Sequence, residues 1–170
     1  MKIAVLSDTH GFLRPQVKEI IGQCDAVLHA GDIDEPAIMD EIRDAARPGA
    51  LVYFVRGNND WGKWARALPV RADFTLGGMK FSMIHNRRDL PSDPGDRQII
   101  IFGHSHQYTE EVREGRLWIN PGSCGPRRFR QEITMAVLIV EKGSWQASVL
   151  TPPVRQVRRW SSCRFTGRKA

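Results

Sequence analysis

Six short apolar runs in this 170-residue chain each end, within a few residues, in side chains that bind metal ions or hydrogen-bond strongly. Leu6 gives way to Asp8-Thr9-His10, Leu28-His29 to Gly31-Asp32, and Phe54-Val55 to Gly57-Asn58-Asn59-Asp60. Met83-Ile84 leads into His85, Ile101-Phe102 into Gly103-His104-Ser105-His106, and Trp118-Ile119 into Asn120-Pro121-Gly122-Ser123. In α/β sheets ligands bind beyond the carboxyl ends of the strands, so the six tips are predicted to converge on one edge of the fold.

The texture between the tips says which fold brings them there. Residues 2–6, 26–29 and 51–55 read as buried strands, rich in Val, Ile and Leu with little polar alternation. Residues 15–21 and 36–46 carry Pro in the first turn and read as helices. This βαβαβ order predicts a parallel sheet with crossover helices. After Asp60, residues 74–76, 80–84, 99–102, 108–113, 117–119, 134–141 and 145–150 read as strands. Gly77-Gly78, Glu114-Gly115 and Lys142-Gly143 mark hairpins. These strands are expected to form a second, mostly antiparallel or mixed sheet. The predicted fold is therefore α/β: a four-layer α/β/β/α sandwich of two mixed sheets flanked by helices, one domain over residues 1–150.

The length suits one domain with a sizeable core, and 41% hydrophobic with 26% charged residues excludes disorder and fibrous repeats. No apolar run approaches the roughly 18 residues of a membrane span. The N-terminus meets Asp8 too early for a signal peptide. Cys24, Cys124 and Cys163 show no CxxC spacing and are expected as reduced thiols, which makes the expected location cytoplasmic. The net charge of +6 is uneven. Six of the 25 basic residues (Arg155, Arg158, Arg159, Arg164, Arg168, Lys169) fall within 151–170, leaving 19 against 19 acidic residues before it. That basic extension, opened by Pro152-Pro153, is expected to be a mobile appendage. It offers nucleic acid a contact, but the neutral body disfavours nucleic acid as the main partner.

Four of the five histidines, His10, His85, His104 and His106, stand at the tips. His29 lies inside an apolar run and is expected to be a buried supporting residue. Imidazole, carboxylate and amide donors without thiolate suit a borderline or hard divalent ion and argue against structural zinc. Seven candidates, Asp8, His10, Asp32, Asn58, His85, His104 and His106, exceed the needs of one catalytic ion. They suit two ions sharing a carboxylate about 3.5–4 Å apart, a spacing used against phosphoesters.

Asp8-x-His10, Gly31-Asp32, Gly57-Asn58-Asn59-Asp60, His85 and Gly103-His104-Ser105-His106, in this order, resemble the calcineurin-like metallophosphoesterase superfamily. The short length and the Asn120-Pro121-Gly122-Ser123 segment resemble its small phosphodiesterase branch, which a retromer subunit also resembles. The likeness covers roughly residues 1–150 and not the extension. It implies that Asp8, His10, Asp32 and His106 hold one ion and that Asp32, Asn58, His85 and His104 hold the other, with Asp32 bridging. It further implies phosphodiester hydrolysis by a metal-bridging hydroxide, with Asp32, Asn58, Asn59 and His85 in the catalytic set. Mn²⁺ is the expected ion, with Ni²⁺, Fe²⁺, Mg²⁺ and Zn²⁺ as alternatives, and the expected substrate is a small phosphodiester. A metal-binding scaffold and a nuclease-type enzyme are the competing readings, and exposed strand edges in such sandwiches favour a homodimer.

Two positions depart from the family pattern. Many members carry His after the ligand Asn, where it protonates the leaving group; here Asn59 stands there, and an amide is no general acid. His85 is followed by Asn86-Arg87-Arg88 rather than Gly, so the rim is bulkier and basic. Trp61 and Trp64 are expected in core packing, with stacking on a nucleoside or aryl leaving group as the alternative, and Arg87, Arg88, Arg127, Arg128 and Arg130 as solvated charges near the rim, with attraction of anionic substrates as theirs. Cys124 has no free His to activate it as a nucleophile.

Overall fold

The computed structural model describes residues 1–127, 131–141, 143–151, 155–156 and 161–164. Two mixed sheets pack face to face. The first is built on three parallel strands, β1 (Lys2–Leu6), β2 (Ala26–His29) and β3 (Leu51–Phe54), joined by helices α1 (Pro15–Ile21) and α2 (Pro36–Ala45). Each helix has Pro at its first turn, where the missing N–H would have had no partner anyway. A single turn, α3 (Lys63–Arg66), follows β3. The second sheet comprises β4 (Arg71–Leu76), β5 (Met79–Ile84), β6 (Ile99–Ile101), β7 (Tyr108–Arg113) and β8 (Arg116–Pro121), in the order β4-β5-β6-β8-β7.

One expectation is corrected. β9 (Met135–Glu141) and β10 (Ser144–Thr151) belong to the first sheet, not the second. β9 pairs antiparallel with β1, from Lys2↔Ile139 to Val5↔Ala136, and the Met1 amino group donates to the Val140 carbonyl at 2.8 Å. The reason is burial. Ile3, Ala4, Val5 and Leu6 are all fully enclosed, so β1 must have a neighbour on both edges, and β9 is the long apolar strand free to supply it. Within the basic extension, β11 (Arg155–Gln156) and β12 (Ser161–Arg164) pair antiparallel with β10, so part of the expected appendage forms a sheet edge. Arg128, Arg130, Lys142, Arg158, Arg159, Arg168 and Lys169 lie outside the described residues, as does the side chain of Cys163.

Two apolar layers hold the sandwich. Between the sheets, Ile3, Val5 and Leu28 meet Phe81, Met83, Ile101 and Ile119. On the other side of the first sheet, Ala4, Leu6 and Val27 meet Val17, Ile21, Ile38 and Ile42 of the helices. Burying such side chains stabilises by roughly 1.5–3 kcal/mol each. The parallel step from β5 to β6 is carried by a 3₁₀ turn at Arg87–Asp89 and a loop, so the layer outside the second sheet is thinner. There Asp73 pairs with Arg71 and Arg97, each at 3.0 Å, and Lys80 pairs with Asp96. No helix among the described residues is long and apolar enough to cross a membrane.

Register aims the tips. Leu6 is level with His29, and His29 with Phe54, so the loops after β1, β2 and β3 leave side by side. In the second sheet Met83, Ile101 and Ile119 are level, and the loops after β5, β6 and β8 leave together.

Candidate metal centre

The first two loops run alongside each other. Asp8 N–H donates to the Gly31 carbonyl at 3.0 Å, His10 N–H to Asp32 at 3.1 Å and Gly11 N–H to Ile33 at 2.9 Å. Asp8, His10, Asp32 and Asp34 on these loops, with His104 and His106 on the loop after β6, have left-handed backbone, φ between 45° and 70°. Such conformations cost of order 1–3 kcal/mol each and cluster at functional sites. The third loop approaches so closely that a Cβ on Gly57 would overlap the Asp32 backbone.

All seven predicted ligands reach this edge, in two groups. Asp8, His10, Asp32 and His106 each offer an atom, all within 4.8 Å of one another. His10 Nε2 stands 3.2 Å from His106 Nε2 with the rings stacked, and His106 Nε2 stands 3.2 Å from Asp8 Oδ1. In the second group Asn58 Oδ1 lies 3.0 Å from His85 Nε2 and 2.8 Å from His104 Nδ1. Asp32 faces both groups: Oδ1 is 3.4 Å from His85 Nε2, and Oδ2 is 3.9 Å from His10 Nε2.

A divalent cation fits this donor set. Asp8 Oδ1 is buried and accepts no hydrogen bond among the described residues, an expensive condition for a carboxylate oxygen without positive charge beside it. Asp34 Oδ2 lies 2.9 Å from His10 Nδ1; a carboxylate only accepts, so Nδ1 carries the proton and Nε2 turns a bare lone pair into the group. The Ala30 carbonyl, 2.7 Å from His85 Nδ1, sets that ring the same way. Electrostatics agree. Burial would lower the His85 pKa, but its bond to Asp32, the charges of Asp8 and Asp32 and the Ala30 carbonyl together raise it. Burial would raise the Asp32 carboxyl, yet His85 and the Asn59 N–H groups hold it well below the usual carboxylate range. The pocket is thus a negative field that favours a cation.

Several supporting residues were not foreseen in these roles. Asp60 accepts four backbone N–H groups, from Asp32 (3.1 Å), Ile33 (2.7 Å), Asp34 (2.8 Å) and Gly57 (2.6 Å), tying the second loop to the third. Its only sequence signal was a carboxylate two residues after Asn58. The sixth tip supplies no ligand to either group: Asn120 Nδ2 donates to the Gly103 carbonyl at 2.7 Å and to Ser105 Oγ at 3.0 Å, clamping the His104 loop. His29 is buried as expected. Its Nδ1 accepts from Gly31 N–H at 3.2 Å, so Nε2 carries the proton that meets Thr9 Oγ1 at 3.0 Å. Burial lowers its pKa to about 4. Asn59 donates from its backbone to Asp32 Oδ1 at 2.8 Å and from its side chain to Oδ2 at 2.7 Å.

The calcineurin-like phosphoesterase superfamily domain matches residues 1–143, through all of these loops. The chain belongs to that superfamily. It is 30% identical over 156 residues to the probable metallophosphoesterase YsnB of Bacillus subtilis, covering 83% of this chain and 85% of the relative. It is 27% identical over 144 residues to a phosphodiesterase of Methanocaldococcus jannaschii, covering 73% and 84%. The solved structure of vacuolar protein sorting 29 from Cryptosporidium parvum shares the fold with a TM-score of 0.76 over 98% of each chain, at 18% identity. The protein is therefore a phosphoesterase of the metal-binding kind, with a candidate divalent-metal site. Around that site of the phosphoesterase, Arg87 and Arg88 are exposed as expected, and Arg87 lies over the Phe102 ring. Trp64 packs against the helical core, but Trp61 does not. Cys124 is buried, and burial pushes its thiol up to about 12, so it is no nucleophile at neutral pH.

Proposed function

We propose that this phosphoesterase hydrolyses phosphodiesters with two divalent cations, Mn²⁺ first among them. Asp8, His10, Asp32 and His106 would hold one, and Asp32, Asn58, His85 and His104 the other. The observation that carries this reading is the Asp32 carboxylate, with one oxygen toward His85 and the other toward His10. Cations bound there supply charge for phosphate oxygens and acidify water. The chain supplies the positioning. Asp34 and the Ala30 carbonyl hold His10 and His85 with Nε2 inward, and Asp60 holds the Asp32 and Asn58 loops at a fixed distance.

Two features favour diesters with good leaving groups. Asn59 directs its amide onto Asp32 and has no proton to give a departing alkoxide, so rate should depend steeply on leaving-group pKa. A cavity of about 240 Å³ opens beside Asn58, His85, His104, Asn86 and Val70, with room for a second substituent on phosphorus.

The test is a substrate panel on metal-free protein resupplied with single ions. Bis(p-nitrophenyl) phosphate should be turned over faster than p-nitrophenyl phosphate, with activity lost in chelator and restored by Mn²⁺. A preference for alkyl monoesters with little leaving-group dependence would overturn the reading.

A further inference from the structure

A second cavity, of about 390 Å³, adjoins the first, lined by Arg56, Gly57, Asn58, Asp60, Trp61, Gly62 and Arg66; the Asp60 carboxylate there is already taken up by four backbone N–H groups. Arg56, Gly57 and Asn58 line both, so the two spaces meet across the side chain that would serve as a metal ligand. That volume lies in the range of small-molecule sites, roughly 300–1,000 Å³.

Trp61 is 76% exposed, whereas Trp64, three residues on, packs into the core. Among the described residues no ring or cation covers Trp61, and the guanidinium groups of Arg56 and Arg66 have no hydrogen-bond or ion-pair partner. A lone exposed apolar side chain needs no explanation. A bare indole beside two unpartnered cations, in a cavity that opens onto Asn58, asks for a ligand that is both flat and anionic.

We infer that the substituent carried by the phosphodiester is a nucleoside whose base stacks on Trp61, while Arg56 and Arg66 attract the phosphate that joins it to the metal site. The inference rests on the phosphodiesterase reading above. A plain aryl ester would use the indole but leave the arginines without a role; a nucleotide uses both. Every base presents a π-face, so the platform is tolerant of base identity, and an adjacent guanidinium strengthens aromatic contacts. The positive charge here is local, since residues 1–150 carry 19 basic against 19 acidic groups. A mononucleotide or short diester fits that balance better than a long polymer, whose affinity comes from many neutralised phosphates.

Calorimetric titration of the Mn²⁺-supplied protein with adenosine 5′-monophosphate and with ribose 5-phosphate, which lacks only the base, tests this. The base should tighten binding about tenfold, Trp61→Ala should remove that difference, and Trp61→Phe should keep most of it. Equal affinity of the two ligands for the unaltered protein would overturn the inference, as would a difference that survives Trp61→Ala. Failure of the phosphodiesterase reading shows separately, as no hydrolysis of bis(p-nitrophenyl) phosphate by the same preparation.

Discussion

The two halves of the site each pair two histidines with Asp32, adding Asp8 in one and Asn58 in the other, but they sit differently in the fold. Around Asp8 the groups are enclosed: Asp8 is 0% exposed, and the side chains of His10 and His106 are 4% and 11% exposed. Around Asn58 the site is open, with Asn58 and His104 both at the surface. Three residues of the enclosed half follow β1 and β2, central strands with both faces covered, on loops hydrogen-bonded to each other, and the fourth, His106, follows β6. The open half rests on loops after β3, β5 and β6 and borders both cavities. One half is thus enclosed and the other open to solution. Asp32 and Asp60 are where they join.

Removing the joint should have the largest effect. Asp32→Ala should lower kcat/KM for an aryl diester by more than the 10–100-fold typical of losing a partner behind a ligand. Both halves lose a ligand at once, and steady-state kinetics at saturating Mn²⁺ measures it. A loss confined to tenfold would mean that the halves work independently.

Asp60→Ala comes next, and it reads as stability. Four buried or part-buried N–H groups lose their acceptor, so the urea midpoint should fall by the equivalent of about 3 kcal/mol or more, with Asp60→Asn between the two. An unchanged midpoint would show that the loops hold their spacing without this carboxylate.

The smallest effect belongs to the floor of the enclosed half. His29 titrates near 6.5 when unfolded and about 4 when folded, because burial disfavours its charge. The unfolded chain therefore takes up a proton that the native one does not. Stability present above about pH 6.5 should fall by about 3 kcal/mol as the pH drops to about 4. In chelator, His29→Gln should flatten that stretch of the pH–stability curve; an identical slope would place the acid sensitivity elsewhere.

The contrast between halves also separates what the chain makes legible from what it does not. Proline at the first turn marks the starts of α1 and α2 at Pro15 and Pro36, and unbroken apolar runs mark β1 and β2, because these signals are local. The seven candidate ligands stood out for the same reason: each follows the end of an apolar run. Pairing is not local. Nothing within residues 134–141 says that their neighbour is β1 across the whole chain, so β9 and β10 were assigned to the wrong sheet. Asp60 was invisible in its role because three of its four donors, Asp32, Ile33 and Asp34, come from a loop far away in sequence. Trp61 and Trp64 carry the same side chain three residues apart, and only packing separates the exposed one from the half-buried one.

The central claim is that one carboxylate joins two unequal ion sites. Calorimetric titration of metal-free protein with Mn²⁺, on the unaltered chain and on His104→Ala, tests it most directly. The unaltered chain should bind two ions in separable steps, and His104→Ala should keep the tighter step while losing the weaker. A single ion per chain, or a His104→Ala variant that loses the tighter step, would contradict it.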